Sequence, residues 1–76
     1  MTTYVQVCGC FNNDDNDVIP FVPDYAAEYY GVYVGEREMT WVADFAHKKS
    51  ALEYAHLLSN RHGYTVDDRT FASREN

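Results

Sequence analysis

One segment of this 76-residue chain has the periodicity of an amphipathic helix, and that single helix limits how the rest of the chain can fold. Its apolar residues recur at three- and four-residue spacing, at Ala51, Tyr54, Ala55 and Leu58. The other apolar segments alternate as strands do. Because one helix can cover only one face of a sheet, we expect the opposite face to meet solvent or a partner.

The predicted helix has recognisable ends. Ser50 and Glu53 match a capping box, which predicts a start at Ser50. An alternative start lies one turn earlier, near His47, because two lysines that favour helix precede Ser50. Gly63 is expected to stop the helix, since glycine adopts the left-handed conformation that follows a last helical turn.

Three segments before the helix, 3–11, 29–34 and 39–45, are predicted to be strands. A short strand is expected after it at 64–66, with an alternative continuation at 70–71. In the first strand the alternation places Val5 and Val7 on one face and the cysteines on the other. In the third strand it predicts one shared face, packed on the helix, for Met39, Trp41, Ala43 and Phe45.

The remaining segments complete the predicted fold. Residues 12–24 are expected to form an acidic, proline-containing loop, because Pro20 and Pro23 exclude a central strand. Asp24 is expected to cap a single helical turn. Residues 72–76 are expected to form a frayed tail. The chain is therefore predicted to be one α+β domain, residues 1–76, with a three- or four-stranded, mostly antiparallel sheet, one helix on one face, and the order β-β-β-α-β.

The net charge of −6 is concentrated in the N-terminal half. Residues 1–36 contain six acids and no lysine or arginine, whereas residues 37–76 contain six acids and six bases. Such a field repels a phosphate backbone and attracts a basic surface, so we expect no direct binding of nucleic acid. Without a signal peptide or a membrane-spanning run of apolar residues, the chain is expected to be cytoplasmic.

Cys8 and Cys10 form the most conspicuous chemical motif. Zinc sites need four converging ligands, and the sequence contains only this one pair of cysteines, so we predict two reduced, metal-free thiols and no cofactor. The alternative is a small metal-binding or regulatory domain that uses both cysteines. The three histidines belong to no recognised catalytic motif, which predicts a protein that is not an enzyme.

The predicted partner-binding surface combines acids with tyrosines of the same half of the chain. Tyrosine is a common anchor residue at protein interfaces. The predicted residues are Asp14, Asp15, Asp17, Asp24, Glu28, Tyr25, Tyr29, Tyr30 and Tyr33. The expected partner is a basic, nucleic-acid-binding protein. A homodimer through the tyrosine-bearing face or an open strand edge is a second expectation, because it would bury apolar area that 76 residues cannot otherwise cover.

The hairpin, the helix from Ser50 to Ala55 and the strand at 64–66 give a layout that resembles small acidic phage-encoded proteins of the anti-CRISPR inhibitor type. Size, charge and layout carry this resemblance, and no motif does. It implies inhibition by occupying the basic surface of a nucleic-acid-binding host protein, such as a CRISPR-Cas effector, in the host bacterial cytoplasm.

Overall fold

The computed structural model describes residues 2–15 and 17–70, which contain five strands, one α-helix and one short 3₁₀ turn at Asp24–Ala26. The strands and the helix are β1 (Tyr4–Asn12), β2 (Val18–Val22), β3 (Tyr29–Gly35), β4 (Met39–Phe45), α1 (Lys48–His62) and β5 (Thr65–Asp68). The predicted α+β class is confirmed, with one more strand than expected. Over the described ranges, no helix has both the length and the apolar composition needed to cross a lipid bilayer.

The first strand lies at the centre of the sheet. One edge of β1 pairs with β3 in antiparallel register, and β4 lies beyond β3. Two strands share the other edge: β5 runs parallel to residues 4–7 of β1, and β2 runs antiparallel to residues 9–12. The two halves of β1 therefore have different neighbours on this edge.

The face that α1 covers contains the aliphatic core. Val5 and Val7 on β1 and Val32 on β3 have no exposed surface, and neither do Ala51 and Ala55 on α1. The two alanines allow the helix axis to approach the valines closely, because a methyl group takes little space between the layers. Burying these side chains supplies the main stabilisation of the domain.

A β-bulge interrupts the alternation of β4. Val32 pairs with Ala43, but the next residue of β3, Tyr33, pairs with Trp41. Val42 is therefore an extra residue in β4. Because two residues of β4 now oppose one residue of β3, the in-and-out pattern is shifted by one position at the bulge.

The bulge overturns the predicted single face of β4. Ala43 and Phe45 face the helix, whereas Met39 and Trp41 pair with residues of the opposite face. Trp41 is 56% exposed and does not pack against α1, so its predicted place in the core is wrong. Phe45 takes the aromatic position beside the helix, with its ring centroid 5.3 Å from that of Tyr54.

The ends of α1 match the sequence in part. The helix begins at Lys48, with His47 in an extended conformation and no side-chain cap, so the alternative start near His47 is right and the capping box at Ser50 is wrong. Gly63 ends the helix as predicted. Its φ is 77°, and its N–H donates to the carbonyl of Ser59 at 2.8 Å.

The predicted 12–24 loop contains a strand. β2 forms an edge of the sheet, where Pro20 is tolerated because no further strand needs its missing N–H. The turn that follows has no side-chain cap, so the predicted capping role of Asp24 is wrong. The last strand ends at Asp68, and Thr70 lies buried in a turn. Phe71 and the predicted tail at 72–76 lie outside the described residues.

Candidate functional site

We call the face of the sheet opposite α1 the open face, since none of the described helical residues covers it. Its residues come from alternate positions of β1, β3 and β4, and the pairing brings them into rows across the sheet. They are Tyr4, Gln6, Cys8, Cys10, Tyr29, Gly31, Tyr33, Met39, Trp41 and Asp44. Phe21, the extra residue of a second bulge in β2, lies at the edge of this face.

Large apolar side chains on the open face remain accessible. Trp41 is 56% exposed, Phe21 42% and Tyr4 38%. The indole Nε1 of Trp41 donates to the Asp44 carboxylate at 2.9 Å, which holds the ring beside a negative charge. An exposed indole that is held in place by a hydrogen bond presents a fixed apolar area, as anchor residues at protein interfaces do.

The centre of the open face is buried although no second layer covers it. Cys8 and Cys10 have no exposed surface, and their Sγ atoms lie 3.7 Å apart. The Cys10 thiol is within reach of two acceptors, the Cys8 sulfur and, at 3.6 Å, the Cys8 carbonyl. Both cysteines point to the same side of β1, as the alternation in the sequence predicts. No disulfide joins them in this structure.

The hydrogen bond between the two thiols makes the pKa of Cys8 lower than the pKa of Cys10. Donation from Cys10 lowers the pKa of Cys8 to about 7, against the opposing effect of burial, and the backbone amide of Phe21 lowers it further. The same hydrogen bond, together with burial, raises the pKa of Cys10. The pair therefore loses its first proton from Cys8 and keeps its second on Cys10.

Phe21 has an unusual backbone conformation next to this pair. Its φ is 60°, which puts a bulky residue in the left-handed region. The bulge that places it there separates the pairing of Gly9 with Val22 from that of Cys10 with Pro20. Strained residues of this kind are concentrated at functional sites, so the conformation of Phe21 indicates that its surroundings are a candidate functional site.

A pocket of about 180 Å³ opens beside Cys8. Most of its lining is apolar or sulfur-containing, and Cys8 is part of it. The lining residues are Gln6, Cys8, Pro20, Phe21, Tyr33 and Met39. Burial raises the pKa of Tyr33 to about 12, and the nearby acidic groups of the cysteines and Asp44 act in the same direction.

A polar groove of about 480 Å³ lies at the other end of the open face, beside Tyr4 and the β3–β4 hairpin. Three of its polar side chains bind one another. The Gln6 amide donates to Asp67 at 3.2 Å, and the Nε of Arg69 donates to both oxygens of the same carboxylate at 3.0 and 3.1 Å. The acid and the base nearest the sheet therefore neutralise each other, and the groove has no strong charge of one sign there.

The acidic residues predicted to bind a partner fall into two groups. Asp14, Asp15 and Asp17 are exposed in the β1–β2 loop, where the Asn13 side chain accepts hydrogen bonds from the amides of Asp15 and Asp17 at 2.9 and 3.0 Å. Glu28 is also exposed. These carboxylates are available to a partner.

Asp24 differs from the other four acids. Its carboxylate forms a 2.6 Å ion pair with Lys48 at the start of α1, and it accepts a hydrogen bond from the Tyr30 hydroxyl at 3.3 Å. These contacts join the turn after β2 to the helix. The structure thus gives Asp24 an internal role that its sequence context did not indicate.

The four predicted tyrosines do not share one surface. Tyr25 is 91% exposed in the 3₁₀ turn, and Tyr29 and Tyr33 lie on the open face. Tyr30 points to the covered face and packs against the core. Tyr29 donates to the side chain of Asn12 at 3.0 Å, which connects the open face to the beginning of the acidic loop.

The described residues contain no cluster of three or more His, Cys, Asp or Glu side chains suited to a metal ion. All three histidines are exposed on or beside α1. His62 stacks on Tyr64 at a centroid distance of 5.0 Å. Nothing in this arrangement pairs a histidine with either cysteine.

Comparisons with protein families, with curated proteins and with solved structures found no match for this chain.

Three residues of the open face, Phe21, Met39 and Trp41, were not predicted from the sequence to lie there. The bulge in β4 shifts Met39 and Trp41 from their predicted face, and Phe21 is the extra residue of the bulge in β2, in a segment predicted to be a loop. Neither extra residue is a glycine, which is the sequence signal of one common type of bulge. One signal was present for Phe21, because prolines on both sides of Phe21-Val22 indicate an edge strand with an irregular backbone.

Proposed function

We propose that this protein is a non-enzymatic binding protein that inhibits a basic, nucleic-acid-binding protein by occupying its cationic surface. The supporting observation is the set of exposed aromatic side chains on the open face, with Trp41 at 56% exposure. A partner that covered Trp41, Phe21 and Tyr4 would remove apolar area from water, which supplies affinity that charge alone does not.

The charge of the chain favours a basic partner. The net charge is −6, and Asp14, Asp15, Asp17 and Glu28 are exposed near one end of the sheet. A Lys- and Arg-rich groove that binds phosphates would be attracted by these carboxylates and would associate with them faster than a neutral surface would. An acidic partner would be repelled.

The protein is proposed to belong to a biological class of inhibitors. Size, charge and layout resemble phage-encoded inhibitors of the anti-CRISPR type, and a CRISPR-Cas effector is a basic protein that binds nucleic acid. The protein would act by binding in the bacterial cytoplasm, and no residue of the chain is assigned a catalytic step.

The first experiment tests whether a partner binds through the open face or through the exposed side of α1. The tagged protein and its Trp41→Ala variant are used to capture binding proteins from a bacterial lysate, with Leu57→Ala as the matched control. Leu57 is 52% exposed on α1, so its removal deletes a similar apolar group on the other side of the molecule. We expect Trp41→Ala to lose the captured protein and Leu57→Ala to retain it. Equal capture by both variants would contradict the proposal.

The second experiment tests whether the captured protein releases its nucleic acid when the inhibitor binds. Adding one equivalent of the inhibitor should release nucleic acid from the purified partner, measured by fluorescence anisotropy of a labelled oligonucleotide. Asp14→Asn with Asp15→Asn and Asp17→Asn should slow association and flatten its salt dependence without changing the fold. Asp24 is left intact because its pair with Lys48 is internal. A partner that keeps its nucleic acid would refute inhibition by charge competition.

The proposed homodimer stays a prediction with its own measurement. Light scattering at high micromolar concentration gives the mass of the particle directly, and the mass of a monomer would contradict the predicted homodimer. The measurement precedes the capture experiment, since a dimer through the open face would compete with any partner for Trp41.

A further inference from the structure

The outer edge of β4 is the most open strand edge of the sheet. β4 is the last strand on its side, and none of the described strands pairs with its far edge. Its seven residues, Met39–Phe45, contain no proline and no lysine, two residues that commonly protect an edge. The backbone N–H and C=O groups that point away from β3 can therefore pair with another extended chain.

The edge strands on the opposite side of the sheet are protected. β2 contains Pro20, which has no N–H to donate, and the next residue, Phe21, has a left-handed backbone with a φ of 60°. β5 is only four residues long and ends in two acids, Asp67 and Asp68. Short, charged or proline-containing edges resist pairing, so an added strand is expected at β4.

The bulge in β4 limits what can be added to this edge. The extra residue, Val42, interrupts the regular spacing of backbone groups in the middle of the strand. A second copy of the chain would bring the same bulge and the same net charge of −6 to the pairing. A short segment of a basic partner fits better, because it can pair with part of the strand and is attracted by the charge.

Two side chains of β4 on the open face are suited to an arginine. The indole Nε1 of Trp41 donates to Oδ1 of Asp44 at 2.9 Å, so Oδ2 can accept from a second donor. Because Trp41 is 56% exposed, its ring is not covered on both faces. A guanidinium group stacks on aromatic rings and pairs with carboxylates, and its planar shape suits it to both contacts better than the ammonium group of lysine.

The charges around the edge also favour a cation. Glu36 and Glu38 are exposed in the hairpin that leads into β4, and Asp44 is exposed near the end of the strand. Residues 36–45 contain these three acids and one base, Arg37, which gives a net charge of −2.

We propose that the outer edge of β4 binds a short extended segment of the basic partner, and that one arginine of this segment stacks on Trp41 and pairs with Asp44. Main-chain hydrogen bonds would hold the segment, and the arginine would make the binding selective, as in other complexes formed by strand addition. The choice of a basic partner in this proposal rests on the proposed inhibitor function.

The test uses a synthetic peptide, acetyl-Thr-Val-Arg-Val-Thr-amide, in which β-forming residues flank one arginine. Trp41 is the single tryptophan of the chain, so its fluorescence reports binding at this site. We expect the peptide to change that fluorescence at millimolar concentration. Replacing the arginine by norleucine should weaken binding by about 4- to 25-fold, the product of about 2- to 5-fold each for an exposed cation–π contact and an exposed ion pair.

Pairing with the strand is tested with two further peptides. Backbone N–H groups of alternate residues point to opposite edges of a strand. Methylating the nitrogens of the two valines, or those of the arginine and the threonines, therefore blocks one edge at a time. We expect one of these peptides to lose binding and the other to keep it.

Variants of the protein test the two side chains. Asp44→Asn should weaken binding of the arginine peptide by about 2- to 5-fold and flatten its salt dependence. The matched control is Glu53→Gln, which removes an equal charge from an exposed position on α1 and should leave binding unchanged. Trp41→Leu, followed by the anisotropy of a labelled peptide, should weaken binding by about 2- to 5-fold. Circular dichroism checks the fold of each variant.

Several results would overturn the site. They are unchanged fluorescence with the arginine peptide, equal binding of the arginine and norleucine peptides, equal effects of Asp44→Asn and Glu53→Gln, and equal binding of the two methylated peptides. A fluorescence change on concentrating the protein alone would assign the edge to a second copy and would also overturn it. Capture of a partner through Trp41 without peptide binding would leave the proposed function intact, whereas peptide binding without capture would contradict only the proposed function.

Discussion

The two faces of the sheet are built from the same strands, yet they bury their side chains by different means. On the covered face, Val5, Val7 and Val32 pack against a helix with alanines at the contact. On the open face, Cys8 and Cys10 are equally buried with no second layer above them. Their neighbours within the sheet close over them. In this chain the centre of the open face is therefore buried, while the margins of that face stay exposed.

The largest expected difference between the faces is in the free-energy cost of truncating a core side chain. Val7→Ala should lower the free energy of unfolding by about 2–3 kcal/mol, because Val7 is fully buried under α1 and the cavity cannot collapse. That is a large share of the stability of a small domain. Urea denaturation measures it. A loss below about 0.5 kcal/mol would mean that the covered face is not the main core.

A methyl group added to the centre of the open face tests whether that centre is packed like a core. The Cβ of Gly31→Ala would lie 3.0 Å from Cε1 of Tyr33 and 3.4 Å from the Cys10 sulfur. We expect a loss of about 1–2 kcal/mol, because overpacking forces these neighbours to move. The measurement is again urea denaturation. Unchanged stability would show that the open face is loosely packed and would weaken the contrast with its margins.

The margin of the open face should tolerate truncation. Trp41→Ala is expected to cost less than about 1 kcal/mol, because more than half of the side chain is already in water and its hydrogen bond to Asp44 is exposed. Differential scanning calorimetry would detect the small shift. A cost near that of Val7→Ala would place Trp41 in the core after all, and would make its effect on partner capture uninformative.

The smallest effect is a titration. Burial, followed by nearby negative charge, raises the pKa of Tyr33 to about 12, so Tyr33 should ionise at higher pH than exposed tyrosines. Because the folded state holds this proton more tightly than the unfolded state, its contribution to stability is present below pH about 10 and is lost as pH rises toward 12. Ultraviolet absorbance of the tyrosinate follows the titration. Burial also raises the pKa of Tyr29 and Tyr30, so Tyr33→Phe should remove only the component that titrates near pH 12. A titration curve unaltered by that substitution at its high-pH end would contradict the burial of this hydroxyl.

The sequence was enough to predict those features of the two faces that depend on an uninterrupted alternation of inward- and outward-facing residues along a strand. In β1 nothing interrupts the period of two, so the separation of Val5 and Val7 from the cysteines follows directly from the residues. The helix and its glycine stop were equally predictable, because apolar spacing and a left-handed glycine are local properties.

The rest depends on pairing between distant residues. Alternation cannot reveal that Val42 is an extra residue, because the bulge is defined by what β3 places opposite it. The internal pairing of Asp24 with Lys48 joins residues 24 positions apart, and no local signal distinguishes Asp24 from the free acids of the loop. The pocket beside Cys8 could not be predicted either, because two separate bulges place Phe21 and Met39 in its lining.

The divided edge of β1 has a consequence for the order in which the molecule forms. The hairpin of β3 and β4 closes over a few residues and can form early, whereas β1 and β5 are brought together across 61 residues, as from Gln6 to Asp67. On a ribosome that adds about 5–20 residues per second, the first half of β1 would wait roughly 3–12 s for this neighbour. During that interval its unpaired backbone groups are open to pairing with any extended segment nearby, so this edge of β1 is a point at which the growing chain can mispair.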